Sequence, residues 1–325
     1  HWQRALDTVT YKETINEMIG GSRGLMDEYE KSGYSETLTK RLEVLSSLEK
    51  AAVNERELAE MINSETDTTQ MSNLKTFMPH KGSGGFSNVP IYTGVGTSTG
   101  RMKIERGPQI LTLRKSHRGL IKSSWENGDV ISIDYSSLEP RVALALSGHA
   151  PEGDVYEWID KEVFGGSLGR TRAKILTLSL IYGMSLHSAR NRYGDIKQSD
   201  KNRLLSMFSV NETKKALEET DRDELRNYFG RPIFPDKESK LFNSYIQSTA
   251  VDVAMIGFGK IISALRDAGG CRPLFLIHDE IICDVPSGVL SSAQEIFRGG
   301  IEINLGNKNV RFPVTVEKND DKLCE

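Results

Sequence analysis

The sequence predicts a mixed α+β fold, because short strand-like apolar runs are separated by long segments with helical periodicity. One run, at residues 129–133, ends at an acidic cluster. Two more, at 274–277 and 281–283, are spaced like the arms of a hairpin. Residues 150–228 and 239–267 are predicted to be mostly helical. We find no internal repeat of the solenoid type.

The first 62 residues are also predicted to be helical. Asn54 followed by Glu57 three residues later is typical of a helix N-terminus. Residues 64–88 are rich in Ser, Thr, Gly and Asn, so a flexible loop is predicted there. The chain begins at His1 with no apolar signal segment, and we therefore expect a fragment or a processed product. At the other end, residues 310–317 alternate in polarity and predict a last strand.

Two acidic positions follow strand-like runs, Asp134 after the first run and Asp279 within the hairpin. Two adjacent carboxylates suit Mg²⁺, which takes one or two carboxylates plus substrate phosphates. A pair of such ions can activate a hydroxyl nucleophile and stabilise the leaving oxygen of a phosphoryl transfer. The alternative is that each Asp only caps a turn. Glu280 either touches a metal or lies beside the site.

A third pattern lies between these clusters. Read as a helix, residues 170–183 place Arg170, Lys174, Leu178 and Tyr182 on one face, four residues apart. A triphosphate would meet the two cations, and a base would lie near the apolar and aromatic residues. The alternative is a solvated charged face with the tyrosine in the core.

Composition sets looser limits. Lys and Arg number 42 against 45 Asp and Glu, so the net charge of −3 lacks the basic excess of many nucleic-acid binders. Phosphate contacts need only a local basic surface, and basic segments occur at 101–118, 170–174 and 197–215. Cys271, Cys283 and Cys324 have no paired spacing, which argues against a zinc ribbon or a disulfide framework and favours a reducing compartment.

No apolar run approaches the roughly 20 residues of a membrane span, so we expect no membrane association and a cytoplasmic location.

The order of the motifs resembles that of the family A DNA polymerases, the bacterial DNA polymerase I type. Residues 134–141 resemble motif A, 170–183 resemble motif B, the fingers helix, and 276–286 resemble motif C. The Thr-Gly-Arg that ends at Arg101 also agrees with the family. So do the segments 229–232 and 242–252. The resemblance runs from about residue 97 to about residue 316.

The resemblance implies a right-hand polymerase fold with an antiparallel palm sheet, helical fingers and a short helical thumb. The implied parts are the palm entry and thumb helices with a flexible tip (1–88), palm (89–148), fingers (149–230) and palm again (231–325).

The resemblance also implies the roles of the site residues. Asp134, Asp279 and the backbone of Tyr135 would bind two Mg²⁺ ions, for which Mn²⁺ can substitute, and Lys174 would join the two aspartates in catalysis. The implied nucleotide-binding residues are Arg170, Lys174, Leu178, Tyr182, Glu139 and Tyr156. The implied DNA-binding residues are Arg101, Asn243, Gln247 and His278. The partners would be a DNA template–primer, deoxynucleoside triphosphates and a processivity or replisome protein.

In the family, the glutamate at the position of Glu139 lies under the sugar of the incoming nucleotide and excludes a 2′-hydroxyl. The alternative role for Glu139 is a salt bridge to Arg141. The chain departs from the family at Leu178, where Phe or Tyr is usual, and at Tyr156, where His is common. These changes leave the metal ligands in place, so we expect an active enzyme with unusual nucleotide handling. Bacteriophage polymerases often depart in this way, which favours a phage or mobile-element source.

Two other functions stay open. The first is a polymerase-like DNA-binding module of a replisome that lacks catalysis. The second is a metal-dependent nuclease, but a nuclease has no need of a triphosphate-binding helix.

Overall fold

The computed structural model describes residues 7–31, 33–94, 96–194, 196–306 and 308–319. Its strands are β1 (Ala52–Val53), β2 (Ile91–Thr93), β3 (Lys103–Arg106), β4 (Ile121–Lys122), β5 (Asp129–Tyr135), β6 (Arg272–Ile277), β7 (Glu280–Val285), β8 (Ile301–Leu305), β9 (Lys308–Phe312) and β10 (Val314–Lys318). Its helices are α1 (Thr8–Lys31), α2 (Ser35–Ser46), α3 (Glu55–Ser64), α4 (Thr68–Lys75), α5 (Leu138–Leu146), α6 (Val155–Phe164), α7 (Arg170–Ile181), α8 (Leu186–Tyr193), α9 (Gln198–Met207), α10 (Val210–Glu218), α11 (Leu241–Asp267) and α12 (Val289–Ile296). The predicted mixed α+β fold is confirmed within these residues. The first six residues of the predicted helical segment, and Cys324, lie outside them.

The central sheet contains four antiparallel strands in the order β10-β5-β7-β6. Along β5, Ile131 and Ile133 pack into one core cluster and Val130 packs into another. Both faces of the sheet are therefore covered, which explains the continuous apolar runs. The predicted strand over 129–133 and the predicted hairpin, now β6 and β7, are both confirmed.

The long helix α11 packs against one face of this sheet and also contacts α2 and α5. It confirms the helix predicted near 239–267. Among the described residues it is the one helix that is long and apolar enough to cross a membrane, which corrects the sequence-based statement that no apolar stretch approaches that length. Its most apolar window is 67% buried in the protein, and core packing accounts for this composition.

The N-terminal region contains one correct local prediction and one wrong one. Asn54 caps α3: its side chain accepts from the N–H of Glu57 at 3.3 Å and donates to the Glu57 carboxylate at 3.0 Å. The prediction of a flexible loop over 64–88 is wrong for the first part of this segment. Helix α4 forms there, and its N-cap Asp67 accepts hydrogen bonds from two backbone N–H groups of the first turn.

Helix α4 forms because tertiary packing stabilises it. Leu74 and Phe77 are fully buried, and the Phe77 ring lies 5.9 Å from the ring of Phe275 in β6. Two buried side chains thus outweigh the polar composition that suggested a loop.

The region 150–228 is mostly helical, as predicted, and α6, α7 and α9 pack around a second core cluster. The strand predicted over 310–317 is in fact two strands separated by Pro313, which has no N–H to donate to a ladder. The first, β9, pairs with β8, and the second, β10, pairs with β5. The assignment of these regions to palm, fingers and thumb stays a prediction.

Candidate active site

Asp134 and Asp279 are close together because β5 and β7 are adjacent antiparallel strands. In their register, Asp134 pairs with Glu280, the residue after Asp279. The backbone N–H of Tyr135 donates to the carbonyl oxygen of Asp279 at 3.1 Å. A slip of one residue would turn Asp134 to the other face of the sheet, and the burial of both faces prevents that slip. The strand register therefore brings together two acidic clusters that are far apart in the sequence.

Left-handed backbone conformations flank both aspartates. Ser137 has φ 59° and ψ 49°, and His278 has φ 55°. They are two of four residues other than glycine with positive φ in the described part of the chain. Such conformations cost on the order of 1–3 kcal/mol each and persist only where the surrounding structure enforces them. The two turns direct the chain into α5 and across the β6–β7 hairpin, where the acidic clusters meet.

The chemistry of the two carboxylates fits a divalent cation. Burial raises the pKa of Asp279, and the nearby His278 and Arg101 oppose that rise. A bound cation would favour the ionised form that burial disfavours. In the described ranges no group of three or more His, Cys, Asp or Glu is arranged to hold a metal. Mg²⁺ does not require one, since substrate phosphates and water complete its coordination.

Glu280 lies on the same face of the sheet as Asp134, since the two are directly opposite in the register. Its Oε2 accepts a hydrogen bond from Nη1 of Arg118 at 3.0 Å, and both side chains are only 7% exposed. This pairing favours the alternative in which Glu280 lies beside the predicted metal site rather than touching a metal. Sequence reasoning missed Arg118, whose only signal was the basic composition of its segment.

Glu139 is held from two sides. Arg101 donates through Nη2 to one carboxylate oxygen, and Tyr182 donates through its hydroxyl to the other. The alternative salt bridge from Glu139 to Arg141 is wrong, because the Arg141 guanidinium donates to three backbone carbonyls between residues 136 and 153.

A cleft is lined by several of these groups, although Asp134 and Glu280 are not among its lining residues. Its lining includes Arg101, Glu139, Gln247, His278 and Asp279. Residues from motif A, motif C, the Thr-Gly-Arg segment and α11 therefore face one space. Asn243 lies one helical turn before Gln247, on the same partly exposed face of α11.

The two cations of α7 lie on its exposed face and contact the first turn of α6. Arg170 donates through Nε to Oδ2 of Asp154 at 2.7 Å. The Nζ atom of Lys174 lies 5.8 Å from the centroid of the Tyr156 ring. That ring is only 2% exposed, so in this structure it supports Lys174 from the core. A direct contact between Tyr156 and a nucleotide stays a prediction.

The other two members of the predicted helical face lie further along α7. Leu178 is partly buried and packs against the second core cluster. The helix ends at Ile181, earlier than predicted, and Tyr182 is its C-cap, with its backbone N–H bonded to the carbonyl of Leu178 at 3.2 Å. Tyr182 can therefore reach Glu139, as described above.

The start of α7 is fixed by a buried carboxylate that sequence reasoning missed. Asp160 of α6 accepts hydrogen bonds from the N–H groups of Leu168 and Gly169 at 3.1 and 2.8 Å. In the sequence, nothing distinguishes Asp160 from other acidic residues of a predicted helix. Its role is visible only in the fold.

Two further arginines hold the segment that carries Arg101. Arg41 donates to the carbonyl of Gly100 at 2.9 Å, and Arg231 donates to the carbonyl of Thr99 at 3.1 Å. Gly100 has φ 69°, and a Cβ there would overlap the Arg231 guanidinium, so only glycine fits. Arg231 lies in the segment 229–232 that the resemblance included, whereas Arg41 gave no sequence signal.

Comparison with known proteins gives consistent results. The family model described as DNA polymerase family A matches residues 87–321. The thermostable DNA polymerase I of Thermus aquaticus is 26% identical over 220 residues, which cover 58% of this chain and 26% of that protein. DNA polymerase I of Lactococcus lactis subsp. lactis is 25% identical over 291 residues, which cover 79% of this chain and 30% of that protein.

Among solved structures, the POL domain of Pol1 from M. smegmatis, in complex with DNA primer-template and dNTP, has a similar fold. The TM-score is 0.57 at 18% identity, and the match covers 78% of this chain and 51% of that chain. The chain thus spans about half of this neighbour and between a quarter and a third of the two curated relatives.

Proposed function

Because the chain belongs to DNA polymerase family A, we propose that it is a DNA-directed DNA polymerase that adds deoxynucleotides to a primer 3′-hydroxyl. The observation that carries the proposal is the β5–β7 register, which pairs Asp134 with Glu280, the residue after Asp279, and so supports a shared acidic site. Phosphoryl transfer requires positioned groups and charge stabilisation more than covalent chemistry by the protein. Asp134 and Asp279, acting through divalent cations, together with Arg170 and Lys174 would meet that requirement.

Asp134, Asp279 and the backbone carbonyl of Tyr135 would hold two Mg²⁺ ions, with Mn²⁺ as a substitute. When bound, such ions lower the pKa of an attacking hydroxyl and stabilise the leaving oxygen. Asp134 lies in β5 and Asp279 lies in the turn between β6 and β7, where its carbonyl oxygen accepts from the N–H of Tyr135. The backbone positions of both residues are therefore set before the substrate arrives.

Arg170 and Lys174 bind the triphosphate and neutralise the charge that develops as pyrophosphate leaves. Lys174 is the group proposed to donate a proton to the pyrophosphate. Leu178 and Tyr182 would contact the base and sugar of the incoming nucleotide, and Glu139 would meet a 2′-hydroxyl. DNA would contact a set of residues around the cleft: Arg101, Asn243, Gln247 and His278.

Primer extension tests this proposal. A labelled primer on a DNA template is incubated with Mg²⁺, deoxynucleotides and either the unsubstituted protein or Asp134→Asn or Asp279→Asn. We expect each substitution to lower the rate by about 1,000-fold or more, because each removes a charge that acts only with the metal ions. DNA binding, followed by fluorescence anisotropy, should change little.

Asp129→Asn is the matched control, since it makes the same change at the far end of the same strand, where the residue pairs with Lys318. It should extend primers normally. Full activity in both active-site variants would refute the assignment. An unsubstituted protein that binds DNA and never extends it would indicate a non-catalytic module instead.

The sugar selectivity of Glu139 is tested separately. Glu139→Ala should reduce the preference for deoxynucleotides over ribonucleotides by about 10- to 100-fold, because the side chain no longer fills the space of the 2′-hydroxyl. Glu139→Gln keeps the size and loses the charge, so it should keep most of the preference. Equal losses in both variants would mean that the charge, held by Arg101 and Tyr182, provides the selectivity rather than the bulk.

A further inference from the structure

Both cations assigned to the triphosphate contact the first turn of α6 in this structure. Arg170 bonds to Asp154, and Lys174 lies over the ring of Tyr156. We propose that Asp154 is a resting-state counter-ion for Arg170, which the phosphates of an incoming nucleotide must displace. This inference rests on the proposed function, in which Arg170 binds a triphosphate.

The carboxylate of Asp154 is fixed in place by a second role. It is the N-cap of α6, and its Oδ1 accepts from the N–H groups of Tyr156 and Glu157 at 2.9 and 3.0 Å. Only Oδ2 bonds to Arg170. Because the cap holds the carboxylate, Asp154 cannot follow Arg170 toward a ligand. A shift of Arg170 toward phosphate therefore breaks the ion pair.

The exposure of the pair makes such an exchange feasible. The side chain of Arg170 is 50% exposed and that of Asp154 is 26% exposed, so water screens their attraction. A polyphosphate carries several charges and accepts two parallel hydrogen bonds from one guanidinium. A polyphosphate can therefore displace the single carboxylate of Asp154 from Arg170. A ligand with only one phosphate group would displace it less readily.

Lys174 has a different resting contact. The face of the Tyr156 ring attracts the ammonium without neutralising it. Of the two cations, Arg170 is thus the one whose charge is offset before the ligand arrives. The first turn of α6 consequently sets how strongly the site attracts phosphates in the absence of nucleotide.

The variant Asp154→Asn isolates this effect. Asn is as good an N-cap as Asp, so α6 keeps its cap while Arg170 loses its counter-ion. Binding of dATP and of sodium tripolyphosphate to the intact protein is measured by isothermal titration calorimetry. We expect both ligands to bind about 2- to 5-fold more tightly, the range that corresponds to an exposed ion pair.

Two controls separate the ion pair from the general charge. Glu157→Gln removes the same charge from the first turn of α6, at an exposed residue. The charge of Glu157 also acts on Arg170, but the hydrogen bond from Arg170 goes to Asp154, so Glu157→Gln should change affinity less. In an Arg170→Gln background, Asp154→Asn should have no effect, which is the result that a double-mutant cycle requires for a direct pair. Unchanged or weaker binding in Asp154→Asn, or an equal gain in Glu157→Gln, would overturn the inference.

Primer extension on the same preparations distinguishes the two proposals. If the protein extends primers but Asp154→Asn binds dATP and tripolyphosphate with unchanged affinity, only the counter-ion role is refuted. Tighter binding by Asp154→Asn in a protein that never extends a primer would support the counter-ion role and refute the polymerase assignment.

Discussion

The central sheet and the helices around α7 hold their charged residues in opposite ways. At the sheet, Glu280 of β7 pairs with Arg118 of the segment 115–120, and each of these side chains is only 7% exposed. On α7, Arg170 pairs with Asp154 at the surface, with exposures of 50% and 26%. The same two chemical groups therefore form a fixed structural contact in one region and an exchangeable contact in the other.

The difference matches what each region does in the proposed reaction. Asp134 is placed by the pairing of β5 with β7, and Asp279 by the hydrogen bond from the N–H of Tyr135 to its carbonyl oxygen. No ligand needs to change either contact. Arg170 and Lys174 are placed by side-chain contacts that a triphosphate can replace. Groups that must stay in register are thus set by the sheet, and groups that must change partner lie on a helix surface.

The largest test of this comparison is the loss of one arginine from each pair. Arg118→Met should lower the free energy of unfolding by about 3–5 kcal/mol, because the buried Glu280 carboxylate loses the guanidinium charge that offsets its own. Arg170→Met should lower it by no more than about 1 kcal/mol, since water solvates Asp154 once the exposed pair is lost. Urea unfolding followed by circular dichroism measures both values.

A second substitution shows whether the large effect comes from the buried charge. Adding Glu280→Met to Arg118→Met should recover much of the loss, because an apolar pair of similar size leaves no charge to desolvate. If Arg118→Met and Arg170→Met lower the free energy of unfolding by similar amounts, burial does not distinguish the two ion pairs, and the comparison fails.

The sequence predicted the features that depend on local pattern. Strand β5, the hairpin, α11 and the Asn54 cap follow from periodicity, burial and short-range hydrogen bonds. The sequence also indicated that Asp134 and Asp279 follow strand-like runs. The two acidic clusters also suggested one shared metal site, whereas the pairing of β5 with β7 is seen only in the fold.

The contacts within the site could not be predicted because they join distant residues. Glu139 bonds to groups 38 and 43 residues away, and Arg118 bonds to a residue 162 positions away. No periodicity encodes such pairs, and they exist only once the elements have packed. The loop wrongly predicted in place of α4 has the same cause, because Leu74 and Phe77 gain their burial from the distant strand β6.

The smallest test uses pH. Burial raises the pKa of Asp279. Burial also acts on Asp154, but the hydrogen bonds from Arg170 and the cap amides outweigh it and hold the pKa of that carboxyl below its ordinary value. A carboxyl with a raised pKa binds its proton more tightly when folded, so its ionised form destabilises the fold above the folded pKa. A carboxyl with a lowered pKa stabilises the fold above its unfolded pKa, and this stability is lost as pH falls through the folded pKa.

The two substitutions should therefore have opposite signs. With EDTA present to remove cations, Asp279→Asn should raise the free energy of unfolding at neutral pH, and the gain should fade as pH falls through the raised pKa toward about 4. Asp154→Asn should lower it at neutral pH, and the loss should fade only below about pH 4. Urea unfolding across this range measures both. If both substitutions lower the free energy of unfolding at neutral pH, the ionised carboxylate of Asp279 does not destabilise the fold. Burial would then not disfavour its charged form.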